Sequence, residues 1–127
     1  MNYLIDTHIL LWVMLDPKKL SKEAQNIIEN TENKIYVSKI SLWEIAIKIK
    51  IGKLNIKTDF INIYKLLLSN DFDILDLSNQ HIAETLQLPL YHRDPFDRML
   101  IAQAKNENLK IITKDRNFKK YEVEILG

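Results

Sequence analysis

The sequence predicts an α/β fold: a parallel β-sheet covered by helices, of the three-layer type, built as a single domain over residues 1–127. Three observations predict it. Short runs rich in β-branched residues alternate along the chain with stretches of helical period. The connections between them are short, and strands and helices alternating in this way imply parallel strands with helices packed on them. Only two glycines and three prolines occur, and no shift of composition marks a boundary at which the chain could be cut.

The elements follow in order. "NYLID" is a buried strand, and "THILLWVML" a helix that starts almost at once, with Thr7 as its cap. Ser21 opens the amphipathic helix "SKEAQNIIEN", and "KIYVS" is the second strand. "ISLWEIAIKIKIGKL" carries two signals: Ile45, Ile47, Ile49 and Ile51 alternate as in a strand, whereas Ser41 and Glu44 match a capping box and Gly52 a helix end. We read it as a helix. "TDFINIYKLLLSN" is helical, "FDILDL" a strand, and "SNQHIAETLQL" a helix opened by Ser78. In "DPFDRMLIAQA" Asp94 is a natural N-cap, and Pro95 loses nothing at the first helical position, where an N–H has no partner. "KIIT" and "VEIL" supply the last strands.

A chain of 127 residues buries roughly two thirds of its extended surface, enough for a real core. Its 18 basic and 17 acidic residues nearly cancel, which excludes a strongly basic nucleic-acid coat and leaves room for a local basic patch. Cysteine is absent, so disulfides and thiolate-ligated zinc or iron–sulfur sites are excluded, and a cytoplasmic protein is the simplest reading. The apolar N-terminal stretch has no basic leader and is interrupted by Asp6 and His8. Its run from Ile9 to Leu15 is too short to span a bilayer, so neither a signal peptide nor a membrane span is expected.

The acidic residues carry the functional reading. In open α/β sheets, ligands bind beyond the carboxyl ends of the strands. Asp6 ends the first strand, Glu44 follows "KIYVS" near a helix start, Asp97 begins the "DPFDRMLIAQA" helix, and Asp115 lies just past "KIIT". All four therefore belong on one edge of the sheet. Asp97 also falls in the row of Leu100, Ile101 and Ala104, which must face the core, so its carboxylate sits at the open end of a buried stripe and needs a partner. Carboxylates drawn from distant segments against their mutual repulsion need a compensating charge of roughly divalent size. Hard oxygen ligands without His or Cys suit Mg2+ or Mn2+.

"LIDTH", "SLWEIAIK", "HRDPFDRMLIAQA" and "IITKD", in this order and spacing, resemble the PIN-domain family, specifically the VapC-like toxins of bacterial toxin–antitoxin pairs. The resemblance covers essentially the whole chain. It carries the family's acids to Asp6, Glu44, Asp97 and Asp115, and leaves Asp94 as a cap, as a ligand reaching the metal through bound water, or as both. It implies a ribonuclease that needs Mg2+ or Mn2+, a homodimer, and a cognate VapB-like antitoxin that covers the site. Phosphodiester hydrolysis fits such a cluster, because bound divalent ions activate water and neutralise developing phosphate charge, and no side-chain nucleophile is required. Asp6 and Asp97 are expected as direct metal ligands. Glu44 and Asp115 are expected to complete the cluster directly or through water and to orient the nucleophile.

Other residues are read more plainly. His8 and His92 lie near the acids in sequence without a paired ligand spacing, and are read as surface or supporting groups ahead of metal ligands. Trp12 and Trp43 flank acidic segments, where core or dimer packing is the first reading and base stacking the second. Lys48, Lys50, Lys53, Lys57 and the run "KDRNFKK" from Lys114 to Lys120 are candidates for RNA-backbone contacts, or solvated faces. Thr113 either bonds a ligand or ends its strand; Arg93 and Arg98 either neutralise the acids or hold substrate. The first helix is apolar nearly all round, which an interface with a second copy or an antitoxin would explain.

Two rivals come from other classes. A catalytically silent PIN-like module would bind RNA or protein only. A receiver-type phosphoacceptor domain shares size, fold class and an acidic Mg2+ site, and would use Asp76 at the end of "FDILDL".

Overall fold

The computed structural model describes residues 1–91 and 93–127; His92 lies outside the described residues. The strands are β1 (Asn2–Ile5), β2 (Lys34–Ser38), β3 (Asp73–Leu75), β4 (Lys110–Ile112) and β5 (Ile125–Leu126). The helices are α1 (Thr7–Leu15), α2 (Lys22–Glu29), α3 (Lys39–Lys50), α4 (Phe60–Ser69), α5 (Asn79–Thr85) and α6 (Pro95–Glu107), with 3-10 turns at Pro17–Lys19 and Arg116–Tyr121. Among the described residues no helix is long and apolar enough to cross a membrane.

All strand pairs are parallel, in the order β3-β2-β1-β4-β5. The period of two along β1 divides the core. Tyr3 and Ile5 point to one face, where they join Ile9 and Leu10 of α1, Ala24 of α2, Leu42 and Ile45 of α3, and Ile63 and Leu67 of α4. Leu4 points to the other, against Leu100, Ile101 and Ala104 of α6 and Phe118 and Tyr121 of the second 3-10 turn. Three layers result. Each fully buried leucine or isoleucine contributes about 1.5–3 kcal/mol by leaving water.

Local chemistry explains the helix ends. Ser21 accepts from Ala24 N–H as expected. Ser78 and His81 form a reciprocal capping box at α5, with the ring Nδ1 in the role usually taken by Glu or Gln. Asp94 accepts from the N–H groups of Phe96 and Asp97, with Pro95 at the first position. At the other end of α6 Asn108 takes the left-handed conformation, φ 57°.

Two caps differ from the sequence reading, for one reason. Strand passes into helix with at most one residue between them, so the cap is the last residue before the helix. Asp6, not Thr7, caps α1, accepting from Ile9 N–H. Ser38, not Ser41, caps α3, accepting from Ile40 N–H. Thr7 and Ser41 are thereby turned inward and buried. The ambiguous isoleucine run is helical: Ile45 is in the core, and the helix stops at Lys50, just before Gly52 at φ +79°.

The strand order removes the receiver rival. That fold has the order 2-1-3-4-5, which sets β3 beside β1. Here β2 stands between β1 and β3, β3 is an edge strand, and Asp76 is exposed beyond it.

Candidate metal centre

The order of the strands reverses between β1 and β4. The chain steps outward from β1 to β2 and β3, then returns through α5 and α6 to lay β4 on the other side of β1. The crevice at such a switch point is where ligands bind in doubly wound sheets. Asp6 follows β1 there and Thr113 follows β4. The backbone joins them first, with Asp6 N–H donating to the Ile112 carbonyl at 3.1 Å. The Thr113 hydroxyl then donates to Asp6 Oδ2, while Oδ1 accepts from Ile9 N–H at 2.8 Å. Thr113 Oγ1 also accepts from Asp115 N–H at 3.0 Å, which fixes the turn carrying Asp115. Asp115 in turn caps the 3-10 turn through Asn117 N–H.

Glu44 enters from α3. One turn into that helix, Ser41 lies against Thr7, with 2.9 Å between the two hydroxyl oxygens. Thr7 Oγ1 donates to Glu44 Oε1 at 2.8 Å, and Lys48 pairs with Oε2 at 3.3 Å. The threonine displaced from the cap position thus orients a carboxylate. Asp94 and Asp97 enter from the first turn of α6.

Asp97 differs from the other acids. Its carboxylate is half-buried and has no hydrogen-bond or ion-pair partner among the described residues. Burial, reinforced by the negative charges of Asp94, Glu44, Asp6 and Asp115, pushes its pKa up to about 7. The other four acids are therefore all within electrostatic reach of it. Burial also raises the Asp6 carboxyl above its ordinary range; the hydrogen bonds from Thr113 and Ile9 and the nearby His8 oppose this, and Asp115 adds to it.

Among the described residues, no three carboxylate or imidazole groups stand close enough to grip one ion as oriented. The hydrogen bonds say why: the oxygens of Asp6 and Glu44 are turned toward Thr113, Ile9, Thr7 and Lys48. The residues nevertheless fit a hard divalent cation. The donor set is all oxygen, it comes from four separate segments, and one half-buried carboxylate in it lacks a partner among the described residues.

The remaining candidates sort by position. His8 is exposed beside Asp6. Arg93 is exposed, whereas Arg98 donates to the carbonyls of Pro89 (2.7 Å), Thr85 (3.0 Å) and Leu88 (3.4 Å). It anchors the segment that follows α5. Trp12 packs partly buried against the core, as expected; Trp43 is 60% exposed, so core packing is excluded for it. Lys48 is committed to Glu44, while Lys50, Lys53, Lys57, Lys114, Arg116, Lys119 and Lys120 are exposed or half-buried at the surface. The first helix leaves part of its apolar side uncovered: with α2 and α4 it lines a cavity of about 670 Å3 at the opposite edge of the sheet, away from the acids.

One buried group escapes the sequence reading. Gln103 is fully buried on α6; it accepts from the Ser38 hydroxyl at 2.5 Å and donates toward Asp76 O (3.4 Å) and His81 Nδ1 (3.3 Å). Because Nδ1 also accepts from Ser78 N–H, the His81 proton is on Nε2, which meets Glu107 at 2.8 Å. This chain ties the α3 cap to α6 beneath the acids. A polar residue on the apolar row of "RMLIAQA" is its signal.

From residue 3 to residue 124, the chain matches the sequence model of the PIN domain. The chain belongs to the PIN-domain family. It is 24% identical to ribonuclease VapC22 of Mycobacterium tuberculosis over 119 residues, which cover 93% of this chain and 90% of that protein. Among solved structures it is similar to a chain of VapBC2 from Rickettsia felis bound to a promoter DNA fragment, with TM-score 0.74, 20% identity and coverage of 99% and 98% of the two chains. A chain of DNA-bound VapBC from Salmonella typhimurium gives TM-score 0.71 at 18% identity, covering 99% of this chain and 97% of that one. This PIN domain thus has the fold of those toxin–antitoxin chains.

Proposed function

We propose that this PIN domain is a metal-dependent endoribonuclease, the toxin of a VapBC-type pair, acting as one domain over residues 1–127. The observation that carries the reading is the half-buried Asp97 carboxylate, unpartnered among the described residues and within electrostatic reach of Asp94, Glu44, Asp6 and Asp115 at the switch point of the sheet. The similarity to a ribonuclease over nearly the full chain supports it.

Asp6 and Asp97 would hold Mg2+ or Mn2+ directly, with Glu44 and Asp115 completing the set directly or through water and Asp94 at its margin. When bound, such an ion lowers the pKa of water toward neutrality and offsets charge on a phosphodiester. The chain's own part is positional. Thr113 and Thr7 aim Asp6 and Glu44, and the buried Ser38–Gln103–His81 chain holds α3 and α6, which carry Glu44 and Asp97, in fixed relation. Exposed Lys50, Lys53 and Lys57, with Lys114 and its neighbours, would contact the RNA backbone.

The partners that fit are RNA as substrate, a second copy of the chain, and a VapB-like antitoxin, all in the cytoplasm; the similar Rickettsia and Salmonella chains were solved as VapBC assemblies. Incubating the protein with a mixed RNA pool, with Mg2+ or Mn2+ and then with a chelator, tests the reading. Cleavage that requires the ion and disappears in a folded Asp97→Asn protein supports it. Metal-independent cleavage, or none in either metal, contradicts it.

A further inference from the structure

Trp43 is a large aromatic side chain left 60% exposed next to Glu44. Its ring meets Phe96 edge-on, with centroids 5.5 Å apart and planes at 63°. Phe96 directly precedes Asp97, so the pair bridges α3 and α6 at the rim of the acidic crevice. An edge-on contact uses only part of the indole surface and braces the ring in one orientation.

The surroundings narrow the choice of occupant. At 100° per residue, the positions sharing the outward stripe of α3 with Trp43 are Lys39, Ala46, Ile47 and Lys50. Lys50 is exposed, Lys39 holds its Nζ over the Tyr64 ring at 4.9 Å, and among the described residues of α3 Trp43 is the only large exposed hydrophobic side chain, with Ile51 just past the helix end the next one. A self-association face wants contiguous apolar surface at its centre, with charge kept to the rim. A lone exposed aromatic ring beside the acids, with the exposed Lys50 two turns along, instead matches single-stranded nucleic acid, in which flat bases alternate with anionic phosphates.

We propose that Trp43, braced by Phe96 and with exposed Lys50 further along its helix, is the platform on which an unpaired RNA base beside the scissile phosphate stacks. Trp43 is a positioning residue: it touches the substrate away from the reacting atoms and sets which phosphate faces the acids. The stack demands a base free of its own helix, so the preferred substrate is a loop or single strand. The inference rests on the ribonuclease reading and deepens it.

The test is binding, without cleavage, of a short 2′-O-methyl single-stranded RNA to the full chain in chelator, followed by fluorescence anisotropy. Trp43→Ala is expected to weaken binding at least about tenfold, and Trp43→Phe to keep most of it. With an oligonucleotide whose central residues are abasic, the wild-type protein and Trp43→Ala should bind alike, which a merely structural role would not produce. Binding by Trp43→Ala within twofold of wild type overturns the proposal. So does a loss that tracks dissociation of a dimer in sedimentation, since the occupant is then a second copy. Trp43-dependent binding without metal-dependent cleavage would leave the platform standing and remove the nuclease reading; cleavage of folded RNA with no affinity for single strands would do the reverse.

Discussion

The Thr113 hydroxyl donates to Asp6 across the point where β4 and β1 lie side by side, tying a residue near the C-terminus to a carboxylate near the N-terminus. That bond is the anchor of the acidic crevice. It orients Asp6 and partly offsets the burial that raises its carboxyl above the ordinary range.

Thr113→Val should therefore weaken Mn2+ affinity about 10- to 100-fold, the usual effect of removing a group that supports a ligand, and raise the pH needed for binding. Thr113→Ser should retain most of it. Calorimetric Mn2+ titration of the three proteins checks this, and equal affinities would show that Asp6 needs no such support.

Asp97 predicts a pH dependence of definite sign. Folded, it keeps its proton up to about pH 7, against an ordinary value of 3.8. The folded chain therefore binds more protons than the unfolded one between those values, so this group's contribution to stability falls as pH rises through that window. An incoming ion must displace the proton, so Mn2+ affinity should climb up to about tenfold per pH unit below 7 and level off above it. Urea unfolding of metal-free wild type and Asp97→Asn across that range should show the stability loss in the first and its reduction in the second.

Gln103→Leu removes the middle of a buried polar chain and leaves the Ser38 hydroxyl proton and the Asp76 carbonyl without that partner. The expected cost is about 1–3 kcal/mol in chemical denaturation, the penalty for a buried polar group left unmatched. A neutral result would mean that Gln103 contributes only volume.

Arg98→Ala releases three loop carbonyls at Thr85, Leu88 and Pro89. Limited proteolysis should then cut between residues 86 and 91 well before the rest of the domain and faster than in the wild type. Unchanged cutting would assign the arginine another role.

Much of this is legible in the sequence, for identifiable reasons. The elements are legible because parallel strands buried on both faces appear as short apolar runs, and because Ser21, Ser78 and Asp94 cap by side-chain chemistry that leaves a local signature. The edge of the sheet on which Asp6, Glu44, Asp97 and Asp115 sit follows from strand polarity alone. What sequence spacing does not show is tertiary. Thr7 reads as a cap and is instead the donor that aims Glu44, because Asp6 is the single residue between β1 and α1 and takes the cap position. Arg98 lies one residue from Asp97 in sequence, yet its guanidinium donates to the carbonyls of Thr85, Leu88 and Pro89. Gln103 and His81 meet only once α5 packs on α6. Trp43 reads first as a packing residue, and its exposure depends on which side of α3 faces the sheet.

The account's central claim is that the acids at the switch point share a divalent ion. Thermal unfolding of the metal-free chain with and without millimolar Mn2+, for wild type, Asp6→Asn and Asp97→Asn, tests it most directly. An ion bound only by the folded form should raise the wild-type melting temperature and leave both variants nearly unmoved. A wild-type transition unchanged by Mn2+ or Mg2+, or an equal rise in all three proteins, would contradict it.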